Sequence, residues 1–225
     1  MNSDLTAVIL AAGQSRRMGG DKLLLSVAKR PVLAWTLDAF ARSALVYRIV
    51  LVISERNHRS SSKLVENLGI ADRTDLVVGG ARRQDSARAG LLAAKTKWIA
   101  VHDGARPFVS ADLIERGLQA AQSTGAAVPC IPVTDTIKRV DDSGRVVETL
   151  ERSELVSVQT PQIFRLDLLL GAVSSADLDV TDDSSLVEAM GSRVQTFRGD
   201  PSNIKITNAE DLPLAEMIAG QAFVH

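Results

Sequence analysis

Short apolar runs alternate with stretches of helical spacing from the N-terminus to Pro132. Ala7 to Ala12 reads as a first strand. Pro31 can open a helix at its first turn, and Val32, Trp35, Leu37, Ala39 and Phe40 continue it with an apolar face. Arg48 to Ser54 reads as a buried strand, and Asn57 to Leu68 as a helix closed by Gly69. Asp75 to Val78 is a third strand, ending at Gly79-Gly80, and Asp85 to Lys95 is alanine- and leucine-rich and helical. Trp98 to Asp103 forms a fourth strand, Ser110 caps a helix over Ala111 to Ser123, and Ala126 to Ile131 is a fifth strand. Buried apolar strands alternating with helices predict an α/β fold with a Rossmann-like, doubly wound, mostly parallel sheet.

The alternation breaks after Pro132. Thr136 to Val140 and Val146 to Leu150 flank the polar, glycine-containing turn Asp141-Asp142-Ser143-Gly144-Arg145, which predicts a protruding β-hairpin arm. An isolated hairpin is marginal in water, so this one needs a surface to pack on, and a second subunit could supply it. Structure resumes at Leu155 to Val158, with a helix from Asp167, a helix over Asp182 to Met190 and a strand over Arg193 to Arg198. Asn208 caps a terminal helix reaching Ala219, with Glu210 and Asp211 in its first turn and Pro213 early enough to be tolerated.

A chain of 225 residues, 45% hydrophobic and 24% charged, fits a single α/β domain over 1–225 with the arm, about 134–150, as a subregion. A net charge of -1 supplies no basic field for nucleic acid. No apolar run approaches membrane-spanning length and the N-terminus lacks a signal-peptide pattern, so the expectation is a cytoplasmic protein that binds neither membrane nor nucleic acid. The single cysteine, Cys130, excludes an intrachain disulfide and a cysteine-based metal cluster. Its setting, Val128-Pro129-Cys130-Ile131, fits a buried thiol.

The loop after the first strand carries Gly13, Gly19 and Gly20 with Arg16, Arg17 and Lys22. Glycines let backbone approach a ligand, and cations this dense repel one another unless an anion lies among them. The loop reads as a polyphosphate cradle, with Lys22 a point charge on the reacting phosphates. It matches neither a P-loop nor a dinucleotide-binding loop, because Ser15 stands where a second glycine would be and Lys22 follows Asp21. It resembles the Leu-Ala-Ala-Gly-x-x-x-Arg-Met-Gly…Lys signature of sugar-phosphate nucleotidyltransferases.

Ligands of such sheets bind at the carboxyl ends of the strands. There Gly13 follows the first strand, Gly79-Gly80-Ala81-Arg82-Arg83-Gln84-Asp85-Ser86 the third, and His102-Asp103-Gly104-Ala105-Arg106-Pro107 the fourth. With Pro132 to Lys138, Gln159-Thr160-Pro161-Gln162, Thr181-Asp182-Asp183-Ser184 and Asn203-Ile204-Lys205-Ile206-Thr207, these segments resemble, in order and over nearly the whole chain, the 2-C-methyl-D-erythritol 4-phosphate cytidylyltransferases of isoprene biosynthesis. The resemblance implies a Rossmann-like domain whose β-arm exchanges between subunits of a homodimer. Departures fall at Ser15, where the family commonly has glycine, at Asp21, where it has proline, and at Ala81 and Gly104.

The implied reaction joins CTP and the polyol phosphate, releasing pyrophosphate. A phosphate monoester oxygen is already ionised near neutral pH, so positioning and charge stabilisation matter more than a general base. The resemblance makes Arg17 and Lys22 transition-state stabilisers, Ala11, Ala12 and Gly13 backbone contacts to CTP, and Gly80 and Ser86 readers of the cytosine edge. Arg83 either neutralises phosphate or pairs with Asp85, and Arg106 either holds its loop or reaches a phosphate. Asp103, ending a buried strand, is the candidate ligand for Mg2+, which favours one or two carboxylates plus phosphate oxygens. His102 reads as a structural residue of the strand end. Arg152 and Lys205 match residues that position the second substrate, Arg152 being close enough to the arm to serve a partner subunit. Thr136, Thr160, Thr181 and Asp135 are weaker substrate contacts. Rival readings are a ribitol 5-phosphate cytidylyltransferase, a transferase of GMP to a molybdenum cofactor, and a catalytically dead nucleotide-binding regulatory subunit.

Overall fold

The computed structural model describes residues 4–13, 23, 25–175, 180 and 182–222. The elements run β1 (Leu5–Ala11), β2 (Ser26–Val27), β3 (Arg30–Pro31), α1 (Val32–Arg42), β4 (Val46–Ile53), α2 (His58–Asn67), β5 (Thr74–Val78), α3 (Arg83–Ala93), β6 (Trp98–Asp103), α4 (Ala111–Thr124) and β7 (Ala126–Pro132). They continue β8 (Lys138–Val140), β9 (Val146–Thr149), β10 (Val156–Val158), β11 (Gln162–Arg165), α5 (Leu166–Ser175), α6 (Ser184–Ala189), β12 (Gln195–Arg198) and α7 (Leu212–Ala222).

An eight-stranded sheet in the order β10-β7-β11-β6-β1-β4-β5, with β12 also paired to β7, forms the centre. Its pairs β1–β4, β1–β6, β4–β5 and β7–β12 are parallel. The sheet is thus mostly parallel with helices on its faces, as the alternation predicts. Successive side chains of a strand point to opposite faces. Leu5, Ala7 and Ile9 of β1 join Ile49, Leu51 and Ile53 of β4 beneath Leu37 and Phe40 of α1 and Leu113 of α4. Val8, Val50 and Val52 face the other way with Ile99 and Val101, against Leu91 of α3 and Leu169 of α5. On that face a Cβ added to Gly90 would lie 2.4 Å from Val8 Cγ1, so the glycine sets how closely α3 approaches the sheet.

Two features depart from the sequence pattern. β11 inserts antiparallel between β6 and β7, pairing Gln162 with Val101 and Phe164 with Ala126. Its four residues begin with a polar side chain that is only 1% exposed, which no alternation pattern marks as strand. The second is the small β2–β3 hairpin. Its turn, Ala28-Lys29, has positive φ at both residues although neither is glycine. The terminal helix starts at Leu212, after a single 3-10 turn over Ala209–Asp211. Pro213 thereby falls in its first turn, where the missing N–H costs no helical bond. α6 is shorter than expected: Asp182 Oδ1 accepts from the Ser185 N–H ahead of the first turn, and Asp183 turns its side chain to Arg83.

The β8–β9 arm closes through Asp141, whose Oδ1 accepts from the N–H groups of Ser143 and Arg145, each at 2.9 Å. Gly144 takes the positive φ of the turn. Val140, Val146 and Val147 of the arm are exposed, as are Val156 and Val158 of the edge strand β10.

Candidate active site

Register brings the functional segments together. Ala11 pairs with Ile53, Ile53 with Val78, and Leu10 with Asp103, so β1, β5 and β6 end on one line. The cavity beyond those ends has a volume of about 260 Å³. Ala11, Ala12, Gly13, Gly80, Ala81, Gly104 and Ala105 supply small walls, and Ser86, Arg83, Asp103 and Lys205 supply the polar groups. The glycines are required by space. A Cβ on Gly79 would lie 2.6 Å from Ser86 Oγ and 2.8 Å from Ala12 Cβ, and one on Gly80 would lie 2.3 Å from Asp85 Cβ. Ser86 donates to the carbonyl of Arg82, 3.2 Å away, and is also 3.4 Å from that of Gly80, so its hydroxyl is fixed at the wall.

Asp103 is the electrostatic centre. Lys205 Nζ lies 2.7 Å from its Oδ2, Arg83 Nη2 3.7 Å from its Oδ1 and Arg106 Nε 3.9 Å from its Oδ2. Burial pushes the Asp103 carboxyl up, but Lys205 and then Arg83 outweigh it and hold the group at about 2. The arrangement is cationic overall and suits an anion. Among the described residues, no cluster of three His, Cys, Asp or Glu side chains is placed to hold a metal. A cation here would therefore take one hard carboxylate from the protein and its other ligands from phosphate and water, a donor set that fits Mg2+.

A buried polar chain fixes the Asp103 backbone. Its N–H donates to Thr160 Oγ1 at 3.1 Å. The Thr160 hydroxyl lies 3.1 Å from His102 Nδ1, and His102 Nε2 lies 3.0 Å from the Arg106 carbonyl. A carbonyl can only accept, so Nε2 carries the proton, Nδ1 accepts from Thr160, and the ring is neutral. Burial pushes the imidazole down to about 4. Asn203 Nδ2 donates to the Thr160 carbonyl at 2.7 Å, and Arg106 Nη1 donates to the Asn203 carbonyl at 2.8 Å. This interlock joins β6 to the segment that carries Lys205.

The structure thus gathers Ala11, Ala12, Gly13, Gly80, Ser86, Arg83, Asp103 and Lys205 around one cavity. Arg17, Lys22 and Thr181 lie outside the described residues. Thr160 and Arg106 are turned inward as struts, so for Arg106 the loop-holding alternative matches its bonds. Arg83 does not pair with Asp85, which is engaged by Arg82 at 2.9 Å; it pairs with Asp183 at 2.8 Å. Asp135 and Thr136 are exposed and do not line the cavity. Arg152 is exposed as well, donating through Nη1 to the Thr134 carbonyl at 2.8 Å. Cys130 is buried and its thiol is pushed up by burial. Asp183 and Asn203 carried no assigned role in the sequence. Both lie in segments that carry the family resemblance, Thr181 to Ser184 and Asn203 to Thr207, and their partners are distant in the chain.

The family model for IspD, 2-C-methyl-D-erythritol 4-phosphate cytidylyltransferase, matches residues 5–221. A protein of that name from Dehalococcoides mccartyi (strain CBDB1) is 44% identical over 220 residues, covering 97% of each chain. The crystal structure of a 4-diphosphocytidyl-2C-methyl-D-erythritol synthase from Anaerococcus prevotii superposes with a TM-score of 0.86 at 31% identity, covering 96% of each chain. The cytidylyltransferase from Thermus thermophilus does so with a TM-score of 0.80 at 35% identity, over 95% of this chain and 98% of that one. The chain belongs to the 2-C-methyl-D-erythritol 4-phosphate cytidylyltransferase family.

Proposed function

We propose that this chain transfers the cytidylyl group of CTP to 2-C-methyl-D-erythritol 4-phosphate, giving 4-diphosphocytidyl-2-C-methyl-D-erythritol and pyrophosphate. The observation that carries this reading is the cavity at the sheet edge, walled by small residues and floored by Asp103 with Lys205 and Arg83 beside it, in a chain of this family. A phosphate oxygen of the polyol forms the new bond to the α-phosphorus of CTP, and the bond from that phosphorus to the bridging oxygen breaks. Pyrophosphate carries away the electron pair, and no proton need move.

The residues divide the work by position. Ala11, Ala12 and Gly13 bring backbone to the triphosphate, while Gly80 and the Ser86 hydroxyl face the base and leave no room for a purine. Lys205 places the polyol phosphate for attack. Arg17 and Lys22, assigned from the motif, stabilise charge on the α-phosphate and the departing pyrophosphate. Asp103 would hold Mg2+, which neutralises charge on the triphosphate when bound. Thr136, Asp135 and Thr181 are assigned to the polyol hydroxyls from the family resemblance alone, Thr136 and Asp135 standing outside this subunit's cavity lining.

One nucleotidyltransferase domain suffices for this chemistry, and the family model matches residues 5–221. The arm makes a homodimer the working form. Val140, Val146 and Val147 of the arm and Val156 and Val158 of β10 are exposed apolar side chains that a second copy would cover. In that dimer Arg152 reaches the partner's site. Turnover with CTP and each polyol phosphate, followed by pyrophosphate release, tests the reading. Release with methylerythritol phosphate well above that with ribitol 5-phosphate is expected. The reverse preference would make the chain a ribitol enzyme, and release with neither would make it a regulatory subunit.

A further inference from the structure

Asp183 is a buried acid that the proposed chemistry does not use. It is 0% exposed, yet it lies at the start of α6, where an aspartate ordinarily turns outward to cap the helix. It makes no such capping bond. Its Oδ2 instead lies 2.8 Å from Arg83 Nη2, and Arg83 is the first residue of α3. The same nitrogen is 3.7 Å from Asp103 Oδ1. One guanidinium nitrogen thus stands between two carboxylates and is in contact with only one of them.

The segment carrying Asp183 is held rigidly. Gln162 of β11 donates to Asp182 Oδ2 at 2.9 Å and accepts from the Ser184 N–H at 3.2 Å. Asp182 Oδ1 accepts from the Ser185 N–H at 2.9 Å. The backbone on either side of Asp183 is therefore anchored through β11 to the strand that ends in Asp103, and the buried carboxylate, whose oxygens make no hydrogen bond among the described residues, meets Arg83 as an ion pair.

We propose that Asp183 is a positioning residue that tethers Arg83 and so keeps the Asp103 carboxylate available to a divalent cation. Opposite charges attract over a few ångströms and a metal competes for the same oxygens. Without its tether, Arg83 would close the remaining gap onto Asp103, where Lys205 already occupies the other oxygen. Both oxygens of Asp103 would then face protein cations. With the tether in place, Arg83 contributes charge to the cavity wall without becoming a competing ligand. This inference rests on Asp103 being the metal ligand.

The test is the dependence of CTP affinity on Mg2+, measured by calorimetry without the second substrate. The quantity read is the ratio of the Kd for CTP in chelator to that in saturating Mg2+. Asp103→Asn should reduce the ratio to near one, which checks the metal assignment independently. Asp183→Asn, which keeps shape and removes charge, should reduce the ratio about tenfold, the effect of one charged contact. Adding Arg83→Gln to Asp183→Asn should restore the ratio, because no guanidinium is left to compete. If Asp103→Asn collapses the ratio while Asp183→Asn leaves it at the wild-type value, the tether is wrong and the metal site stands. If Asp103→Asn leaves the ratio unchanged, the metal assignment falls and the tether with it. A purely structural Asp183 would lower thermal stability and weaken CTP equally in chelator and in Mg2+. A double variant no better than Asp183→Asn alone would also overturn the proposal.

Discussion

The cavity floor and the β-arm use charge and apolar surface in opposite ways. At the floor, the Asp103 and Asp183 side chains are 14% and 1% exposed, and each is met by cations from other elements of the same chain. On the arm, Val146 and Val147 are 61% and 63% exposed and the ion pair Arg139–Glu148 lies in solvent. Desolvated charges are costly unless paired, so the floor must be completed within one subunit. Exposed valines in a marginal hairpin have the opposite need. The contrast separates the part of the site that one chain builds alone from the part that the proposed dimer would complete.

The floor breaks most readily at Lys205. Lys205→Ala should lower kcat/KM for the polyol phosphate on the order of a hundredfold, as expected for loss of a charge placed on a reacting group. Steady-state kinetics with each substrate varied would check it, and an unchanged value would remove Lys205 from the machinery. Lys22→Ala should lower kcat by a similar factor while weakening CTP less.

A second break concerns the buried ring behind the floor. His102 is held at about 4, below its ordinary 6.5, so the unfolded chain binds the proton more readily. The neutral ring contributes stability in full above pH 6.5, and that contribution is lost as pH falls through 4. The loss amounts to about 3 kcal/mol. Asp183 is pushed up by burial and runs in the opposite sense, so the comparison of interest is between variants. Urea denaturation at neutral and mildly acidic pH should show a steeper decline for the wild type than for His102→Gln, and parallel declines would contradict the assignment.

On the arm, Val147→Asp should weaken self-association by about 2 kcal/mol, through lost apolar burial and a desolvated charge. Sedimentation across a concentration series reads this, and the melting temperature extrapolated to the monomer should not move. The smallest effect belongs to the cavity wall. Ser86→Ala should weaken CTP binding by about 1 kcal/mol, the value of one hydroxyl hydrogen bond, with less effect on kcat.

Much of the fold was legible because local signals and tertiary placement agree. Trp98 to Val101 is an apolar run followed by His102 and the acid Asp103, and β6 spans Trp98–Asp103. Ser110 accepts from the Leu113 N–H at 3.1 Å, as its position before an amphipathic stretch predicts. Gly69 takes the positive φ of a helix end. β11 was not legible, because buried Gln162 finds its side-chain partners in Asp182 and Ser184, some twenty residues away in sequence and unmarked by any period. The site divides similarly. The segments around Gly13, Gly80 and Asp103 announce themselves at strand ends. The pairing of Arg83 with Asp183 rather than Asp85 depends on how α3 and α6 meet, which sequence spacing does not encode.

The central claim is that each cavity is completed by its own Lys205 and by Arg152, just beyond the arm, from a partner subunit. It is tested most directly by mixing Lys205→Ala subunits with Arg152→Ala subunits, each nearly inactive alone, under conditions that exchange them. If Arg152 serves the neighbouring site, a mixed dimer holds one site with both defects and one with neither, and should recover about half of wild-type activity by symmetry. If Arg152 serves its own subunit, every site keeps one defect. Exchange verified by mass with no recovery of activity would contradict the shared site, and a monomer at assay concentration would contradict the dimer itself.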